Sequence, residues 1–281
     1  MVATLPALDS PYALASADID AFRTRGHVQI RALASRDEVA AYKPLIDSAT
    51  ELYRGDKRPL AERETYGKSF QQAMNLWRRD SRIVGFTLAK RFARVAAELL
   101  GTRGVRLYHD QALYKEPGGG PTPWHQDQTY WPLDTTATIT LWMPLVDVSW
   151  AMGPLKFVRG SHAIGDFGMP GIGDDSEAFF EARIRDEGFA INEVGPMAAG
   201  DASFHAGWTV HGARPNASPD MRAAMTIIYF ADGVRVAEPT PNQRGDLAVW
   251  LPGLQPGDVA ATPLNPLVYV RGEEPQTSAS D

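Results

Sequence analysis

The stretch PTPWHQDQTYW, residues 121–131, places His125 and Asp127 one residue apart among aromatic side chains. On a β-strand, residues i and i+2 point to the same face, so these two side chains could bind one metal ion as neighbouring ligands. A polar pair of this kind is by itself more often incidental. His211, much later in the chain, supplies a third candidate ligand. Two histidines and one carboxylate form the facial triad of non-haem iron(II), which leaves coordination positions open.

Three further side chains favour an active site around this pair. Arg222 follows His211 across the short connection ARPNASPDM, and its planar guanidinium suits a bidentate grip on a carboxylate. Trp131 shares strand parity with the histidine–aspartate pair, and Trp142 lies on the following predicted strand. Aromatic walls of this kind would keep water from a metal and strengthen electrostatic interactions beside it.

The composition excludes several other classes of protein. The 281 residues include 28 basic and 34 acidic side chains without long runs of either sign, which argues against a nucleic-acid or anionic-membrane partner. The chain has no cysteine, so disulfides, thiolate nucleophiles and zinc ribbons are excluded, and a metal must bind through His and carboxylate. No apolar run approaches membrane-spanning length and the N-terminus does not resemble a signal peptide. We expect a soluble, cytoplasmic monomer or homodimer that acts on a small molecule.

Residues 1–104 are expected to be mostly helical. Ser35 and Glu38 have the spacing of a capping box and open a helix that Pro44 should kink or restart. A second helix is predicted over 81–101, where apolar residues recur at helical spacing and a glycine closes the pattern.

After residue 104 the chain changes to short segments typical of β-strands, separated by Gly/Pro turns. Many short strands behind a helical part indicate a jelly-roll or barrel with packed helices, here over 105–232. No linker-like stretch divides the chain, so residues 1–281 are predicted to form a single domain. Within it, the Gly-rich insert 164–189 is typical of a lid, and residues 233–281 are expected to be irregular. The predicted strands lie in VRLYHDQALYK, WHQDQTYW, TATITLWMPLVDV, GPLKFVRG, FAINEV, DASFHAGWTVHG and RAAMTIIYFA.

The segments HQDQTYWPL and GPLKFVRGSH, followed by the pair His211 and Arg222, occur in this order along the chain. Together they resemble the phytanoyl-CoA dioxygenase family of iron(II)/2-oxoglutarate-dependent oxygenases, over residues 17–232. The resemblance implies a mainly β fold with flanking helices around a double-stranded β-helix (jelly-roll, cupin-like) core. It also implies Fe(II) as cofactor, 2-oxoglutarate as co-substrate, and O2.

The family pattern implies a role for several positions. The implied metal ligands, which are also the catalytic centre, are His125, Asp127 and His211. Arg222 would hold the distal carboxylate of 2-oxoglutarate, and Trp142 would line the co-substrate site. Tyr114 and Gln126 stand where some relatives place co-substrate contacts, although strand parity points the Gln126 side chain away. Ala213 departs from members that have a serine in contact with 2-oxoglutarate there.

The implied reaction converts 2-oxoglutarate and O2 to succinate and CO2 while hydroxylating an unactivated C–H bond of a small metabolite. Desaturation, epimerisation or cyclisation use the same chemistry and stay open. Halogenation is disfavoured, because halogenating relatives replace the carboxylate at Asp127 with a small residue. A second functional class is a jelly-roll that binds metal or ligand without turnover, but such a protein should have lost a metal ligand or the arginine. A third class is a zinc- or manganese-dependent hydrolytic or isomerising cupin, in which Arg222 would have no evident role.

Candidate substrate contacts are less specific. Trp131 is expected to wall the site, and Gln71 and Asn75 alternate toward one face of FQQAMNLW. His205 shares strand parity with His211 if no bulge intervenes. His109 and His162 are weaker candidates, because a histidine on a strand or turn is usually only packed and hydrogen-bonded, and a surface or turn-bonding role explains Asp110 equally well.

The insert carries seven acidic side chains against two arginines over 165–190. If it covers the site, this charge would repel the phosphates of coenzyme A at close range. A neutral or cationic small metabolite is therefore the expected substrate.

Overall fold

The computed structural model describes residues 4–169 and 171–272. The α-helices are α1 (Ser16–Arg25), α2 (Arg36–Tyr53), α3 (Thr65–Ser69), α4 (Leu76–Arg79), α5 (Val84–Thr87), α6 (Lys90–Leu100), α7 (Asp174–Asp186) and α8 (Gln243–Trp250). The strands are β1 (His27–Ile30), β2 (Gln71–Met74), β3 (Gly104–Lys115), β4 (Thr122–His125), β5 (Thr138–Pro144), β6 (Leu155–Val158), β7 (Ile191–Val194), β8 (Ala202–Ala206), β9 (His211–Ala213), β10 (Arg222–Ala231) and β11 (Leu267–Val270). Short 3₁₀ turns lie at Leu60–Glu62, Ser81–Ile83, Asp127–Tyr130, Trp150–Met152 and Ser161–Ala163.

The strands form two antiparallel sheets. The larger has the order β1-β8-β5-β10-β3-β11, with β2 also paired to β3, and the smaller has the order β4-β9-β6-β7. One face of the larger sheet packs on the N-terminal helices through the largest group of buried apolar side chains. This arrangement confirms the predicted mainly β class with flanking helices and a jelly-roll core.

The opposite face of the larger sheet is the floor of a cavity. Residues that pair across antiparallel strands project to the same face, so each rung of the sheet contributes a row of side chains. One rung contributes His205, Thr140, Ile228 and His109, and the next contributes Trp142, Thr226, Gln111 and Met74. All eight side chains line the cavity. The strand register therefore determines which residues can contact a ligand.

Helix α2 begins with the predicted capping box: Ser35 accepts a hydrogen bond from the Glu38 amide, and the Glu38 carboxylate accepts one from the Ser35 amide. The helix does not restart at Pro44, because α2 runs from Arg36 to Tyr53 with Pro44 inside it. Buried side chains before and after the proline, Tyr42 and Ile46 among them, hold both halves against the core. Tertiary packing outweighs the local cost of the proline.

The single helix predicted over 81–101 is interrupted. A 3₁₀ turn and α5 precede a break at Ala89, where ψ is 118°, and α6 begins at the next residue. The N-terminal arm explains the break, because the amide of Arg91 donates to the carbonyl of the buried Leu8 (3.1 Å) and needs no partner in a preceding turn. Gly101 ends α6 in the left-handed conformation, as predicted.

Two segments outside the sheets border the cavity. The insert 164–189 contains α7, which docks on β4 through Phe180 and Trp124. The Glu177 carboxylate accepts a hydrogen bond from the Trp124 amide (2.6 Å), so the insert is fixed to the sheet. The C-terminal segment, expected to be irregular, contains α8 and β11 up to residue 272; residues 273–281 lie outside the described part. None of the described helices is long and apolar enough to cross a membrane.

Candidate active site

Three ligand-type atoms converge at one edge of the cavity. His125 is the last residue of β4 and pairs directly with His211, the first residue of β9. Asp127 was predicted to lie on the same strand, but β4 ends at His125 and Asp127 is the first residue of a 3₁₀ turn. The turn still brings Asp127 Oδ1 to 3.5 Å from His125 Nε2 and 3.7 Å from His211 Nε2. All three ligand atoms lie within 4.8 Å of one another, and no other such cluster occurs in residues 4–169 and 171–272.

The two histidines are held with Nε2 toward the aspartate. His125 Nδ1 donates to the Pro123 carbonyl (2.8 Å) and His211 Nδ1 donates to the Thr209 carbonyl (3.0 Å). Because Nδ1 carries the proton, each Nε2 presents a lone pair. Two lone pairs and a carboxylate oxygen facing one another at this spacing are suited to bind a cation between them. The backbone carbonyls are thus the orienting partners that metal-bound histidines usually have.

The other oxygen of the carboxylate is held from behind. Asp127 Oδ2 accepts hydrogen bonds from Thr140 Oγ1 (2.8 Å) and His205 Nε2 (3.1 Å). Burial alone would raise the pKa of Asp127, but His211, His125 and His205 outweigh it and hold the pKa well below its ordinary value. Burial and the two neighbouring histidines likewise lower the pKa of His211. The cluster therefore combines an ionised Asp127 carboxylate with a neutral His211 imidazole, donors that suit iron(II).

His205 was a candidate substrate contact. It lines the cavity on β8, but its hydrogen bond goes to Asp127, so it orients a ligand of the triad rather than standing free. Strand parity with His211 is not the reason for its position, because the strand ends at Ala206 and a turn precedes β9.

Arg222 is buried at the start of β10, with 1% of its surface exposed. One terminal nitrogen donates to the Gly153 carbonyl, while Nε has no hydrogen-bond partner among the described residues. Its guanidinium carbon lies 5.5 Å from the ring centre of Trp142, whose Nε1 is also buried and unpartnered. No acidic side chain of the described residues forms an ion pair with it, and burial lowers its pKa to about 10. The buried Arg222 cation, with the unpartnered N–H groups of its own Nε and of Trp142 Nε1, is suited to bind the carboxylate of a ligand.

Lys115 was not identified from the sequence. It pairs with Arg222 across β3 and β10, is completely buried, and bonds through Nζ to the Gly120 carbonyl and to Thr122 Oγ1 (3.3 Å). Burial and the charge of Arg222 lower its pKa to about 6. Arg222 is therefore the permanent cation at this end of the cavity.

Two predicted co-substrate contacts point elsewhere. Tyr114 lies on the helix-facing side of β3, and its hydroxyl donates to Asp47 Oδ1 (2.6 Å) on α2. Gln126 binds the insert and a neighbouring loop: its amide nitrogen donates to the carbonyls of Gly165 and Trp208 (2.7 Å each), and its oxygen accepts from the amide of residue 167. Neither side chain lines the cavity. Gln126 instead fixes the insert against the turn that carries Asp127.

Gln71 on β2 and Asn75 directly after it were also predicted to contact substrate, but neither lines the cavity. Gln71 pairs with Tyr114 on the helix side, so the alternate residues Gln72 and Met74 reach the cavity. Asn75 adopts φ of 50° at the end of the strand, and its side-chain oxygen accepts from the Trp77 indole (3.3 Å).

The same register governs β3. Asp110 shares the helix side of the strand and accepts hydrogen bonds from the amides of Leu76 and Trp77 and from Thr87 Oγ1. His109, one residue earlier, lies on the cavity side. Trp131 lines the cavity as predicted, whereas His162 lies outside it and bonds to the Arg23 carbonyl (3.1 Å).

The cavity has a volume of about 280 Å³. Sequence reasoning missed several of its walls: Tyr66 of α3 and Phe70 directly after that helix, Ile172 from the insert, and Asp246 and Trp250 from α8. Asp246 and Trp250 stand four residues apart, a spacing that places both on one face of a helix, but the helix itself was not predicted. Among described residues of the insert only Ile172 lines the cavity, so its acidic side chains are not part of the lining.

Comparisons with known proteins agree with this site. Residues 22–224 match the family model described as Phytanoyl-CoA dioxygenase (PhyH). A probable alpha-ketoglutarate-dependent hypophosphite dioxygenase of Stutzerimonas stutzeri is 25% identical over 222 residues, 74% of this chain and 75% of that protein. Alpha-ketoglutarate is 2-oxoglutarate.

Solved structures are similar over almost the whole chain. The carbocyclase SnoK from nogalamycin biosynthesis superposes with a TM-score of 0.75 at 26% identity, over 92% of this chain and all of that one. The epimerase SnoN, in complex with Fe³⁺, alpha-ketoglutarate and nogalamycin RO, gives 0.72 at 26% identity over 90% and 98%. The matched residues and the converging histidine–aspartate–histidine cluster together establish that this chain belongs to the phytanoyl-CoA dioxygenase (PhyH) family of iron(II)/2-oxoglutarate-dependent oxygenases.

Proposed function

We propose that the protein hydroxylates an unactivated C–H bond of a small metabolite. In the reaction, R–H, 2-oxoglutarate and O2 give R–OH, succinate and CO2. The observation that carries the proposal is the convergence, in one cavity, of the three ligand atoms within 4.8 Å and the unpartnered donors of Arg222 and Trp142. The first set fits iron(II), and the second fits the distal carboxylate of 2-oxoglutarate.

Each residue of the site then has a stated task. His125, Asp127 and His211 would hold the metal, and Arg222 would orient the co-substrate. The chemistry supplied at such a centre is oxidative decarboxylation of 2-oxoglutarate coupled to cleavage of a substrate C–H bond. Thr140 keeps one oxygen of Asp127 directed toward the metal, and the aromatic walls of the cavity exclude water from the reacting bond.

A second reaction, ring formation or epimerisation, is favoured by the likeness to SnoK and SnoN. Both outcomes begin with the same C–H cleavage and differ in whether oxygen is transferred to the substrate. The mass of the product distinguishes them: hydroxylation adds one oxygen atom, ring formation removes two hydrogens, and epimerisation leaves the mass unchanged.

The relative from Stutzerimonas stutzeri is named as a hypophosphite dioxygenase, and hypophosphite is an anion. The described residues that line this cavity include a single Lys or Arg, Arg222, and the proposal assigns it to 2-oxoglutarate. We therefore infer a different substrate for this protein, and hypophosphite belongs in the test as a comparison.

The decisive measurement is succinate formation by protein reconstituted with Fe(II), ascorbate and 2-oxoglutarate, first alone and then with a panel of small metabolites. Wild type should form succinate and His211→Ala should not. His162→Ala is the matched control, since this histidine lies outside the cavity and should leave succinate formation intact. No succinate under any condition, with wild type matching His211→Ala, would overturn the proposal and favour a jelly-roll that binds without turnover.

A further inference from the structure

The end of the cavity under α8 carries polar groups that the metal centre does not use. Asp246 and Trp250 lie one turn apart on α8, and both line the cavity. His109 lines it from β3, with its ring 4.9 Å from the Trp250 ring. Gln243, at the start of α8, donates to the Trp131 carbonyl (3.2 Å), which ties the helix to the turn behind the metal ligands. This end of the cavity is thus a built wall and not a frayed terminus.

Both polar side chains have hydrogen-bonding capacity left for a ligand. His109 is only 3% exposed, and its Nδ1 has no partner among the described residues. Burial lowers the pKa of His109 to about 3, so its ring is neutral and offers one donor and one acceptor. The Asp246 carboxylate accepts hydrogen bonds from the Tyr108 hydroxyl (3.3 Å) and from the Trp250 indole, which leaves some of its acceptor sites open, and no basic side chain of the described residues forms an ion pair with it.

The charges around the cavity indicate which substrates this end accepts. Its lining has two carboxylates, Asp127 and Asp246, and one arginine, which the proposed function assigns to 2-oxoglutarate. Burial raises the pKa of Asp246 to about 6, so the carboxylate is largely ionised at neutral pH. A phosphate or carboxylate here would be repelled, whereas a hydroxyl or ammonium group would satisfy the acceptor.

We propose that Asp246 and His109 recognise a hydroxyl or ammonium group of the substrate, whose apolar body lies against Trp250 and Trp131. The substrate is thereby a non-anionic small molecule with a hydrogen-bond donor at one end. This inference rests on the proposed function, because it assigns His125, Asp127, His211 and Arg222 to the metal and 2-oxoglutarate. The exclusion of anionic substrates, which the sequence assigned to the acidic insert, is here assigned to Asp246.

Four ring compounds that differ in one group test the proposal: cyclohexanol, cyclohexylamine, cyclohexanecarboxylate and, as the compound without a polar group, methylcyclohexane. Each is titrated calorimetrically, without oxygen, into protein loaded with Fe(II) and 2-oxoglutarate. Wild type should bind the alcohol or the amine at least tenfold more tightly than the carboxylate and the hydrocarbon. Asp246→Asn should reduce this preference about 10- to 100-fold, the range for a hydrogen bond to a charged group. His109→Phe should weaken binding of the preferred probe in the same direction.

The matched control is Asp175→Asn, which removes the same charge from an exposed position on α7 that does not line the cavity. It should leave the preference unchanged. Equal effects of Asp175→Asn and Asp246→Asn, or a wild type that prefers the carboxylate, would overturn the inference. Binding of Fe(II) and 2-oxoglutarate is recorded in the same samples: if these fail in wild type, the proposed function fails, and if they hold while the preference is absent, only the substrate inference fails.

Discussion

Replacing Arg222 by methionine should change ligand affinity and protein stability in opposite directions. In the protein without ligands, Arg222 is a buried cation with no acidic partner among the described residues. Lowering its pKa from 12.5 to about 10 corresponds to roughly 3 kcal/mol of unfavourable burial. Methionine fills similar space without the charge. The free energy of unfolding of Arg222→Met should therefore stay level or rise, by up to about 3 kcal/mol.

The same substitution should greatly weaken 2-oxoglutarate binding. A ligand carboxylate left in this buried site without its cation loses about 3–5 kcal/mol, which is on the order of 10²- to 10³-fold in the dissociation constant. Arg222→Lys should fall between the two, because it keeps the charge and loses the planar fork.

Two measurements separate these effects: calorimetric titration of 2-oxoglutarate into Fe(II)-loaded protein without oxygen, and urea unfolding of the metal-free protein. Wild-type affinity for 2-oxoglutarate in Arg222→Met would show that the arginine does not hold the co-substrate. Lost affinity together with a stability loss of several kcal/mol would show that Arg222 acts through the fold. Only weakened binding in a protein that is as stable as wild type or more stable agrees with the proposed role.

Three other perturbations give distinct outcomes. Thr140→Val removes a hydrogen-bond donor to Asp127 and should raise the Fe(II) dissociation constant about tenfold, as measured by metal titration. An unchanged constant would show that the hydrogen bond from His205 is enough to orient Asp127. Tyr114→Phe should lower the unfolding free energy by about 1 kcal/mol through the lost bond to Asp47 while leaving 2-oxoglutarate affinity intact, and a selective loss of that affinity would return Tyr114 to the co-substrate site. Burial lowers the pKa of His27 from 6.5 to about 4, so the unfolded chain binds more protons than the folded protein between these pH values. The free energy of unfolding therefore decreases as the pH is lowered through this range. From pH 7 to pH 5 this histidine should contribute a loss of about 2 kcal/mol in urea unfolding, and an equal loss in His27→Gln would assign it to other groups.

The convergence of the three candidate metal ligands could be predicted from the sequence, although the geometry used to relate two of them was incorrect. His125 and Asp127 were related by strand parity, yet the strand ends at His125 and a 3₁₀ turn presents Asp127. Short spacing restricts two side chains to one neighbourhood under either conformation. His211 was added as the candidate that completes two histidines and a carboxylate, and its pairing with His125 depends on two strands far apart in sequence.

The facing of individual strand residues was harder to predict, because alternation defines two faces without saying which one meets the ligand. Tyr114 and Gln71 lie together on the helix side, and Leu113 and Gln72 lie together on the cavity side. Which pair faces the cavity follows from the packing of the N-terminal helices on the sheet, a long-range fact. A shift of one residue exchanges the faces completely.

Helix α8 was missed for a different reason. It is eight residues long, too short for its apolar periodicity to stand out and too short to be stable alone. It forms because Trp250 and Leu247 pack with the buried cluster around Tyr108 and Trp131. Its Pro-rich flanks nevertheless made the whole segment look irregular.

The division of tasks within the cavity has a structural basis. The side chains proposed to hold the metal and co-substrate lie on β4, β5, β9 and β10 and on the turn after β4, all within or joined to the paired sheets. Two of the side chains proposed to contact substrate, Asp246 and Trp250, come from outside that frame, on α8. Further walls of the cavity come from α3 and the insert. Sheet strands are constrained by partners on both sides, whereas a helix that closes one end of the cavity can change sequence or angle without disturbing the triad. The carbocyclase and the epimerase share this framework, as expected if the reaction outcome is set by how such peripheral walls orient the substrate. For this protein the wall to exchange is α8: a variant carrying a different side chain at Asp246 should alter substrate choice while His125, Asp127 and His211 keep their geometry.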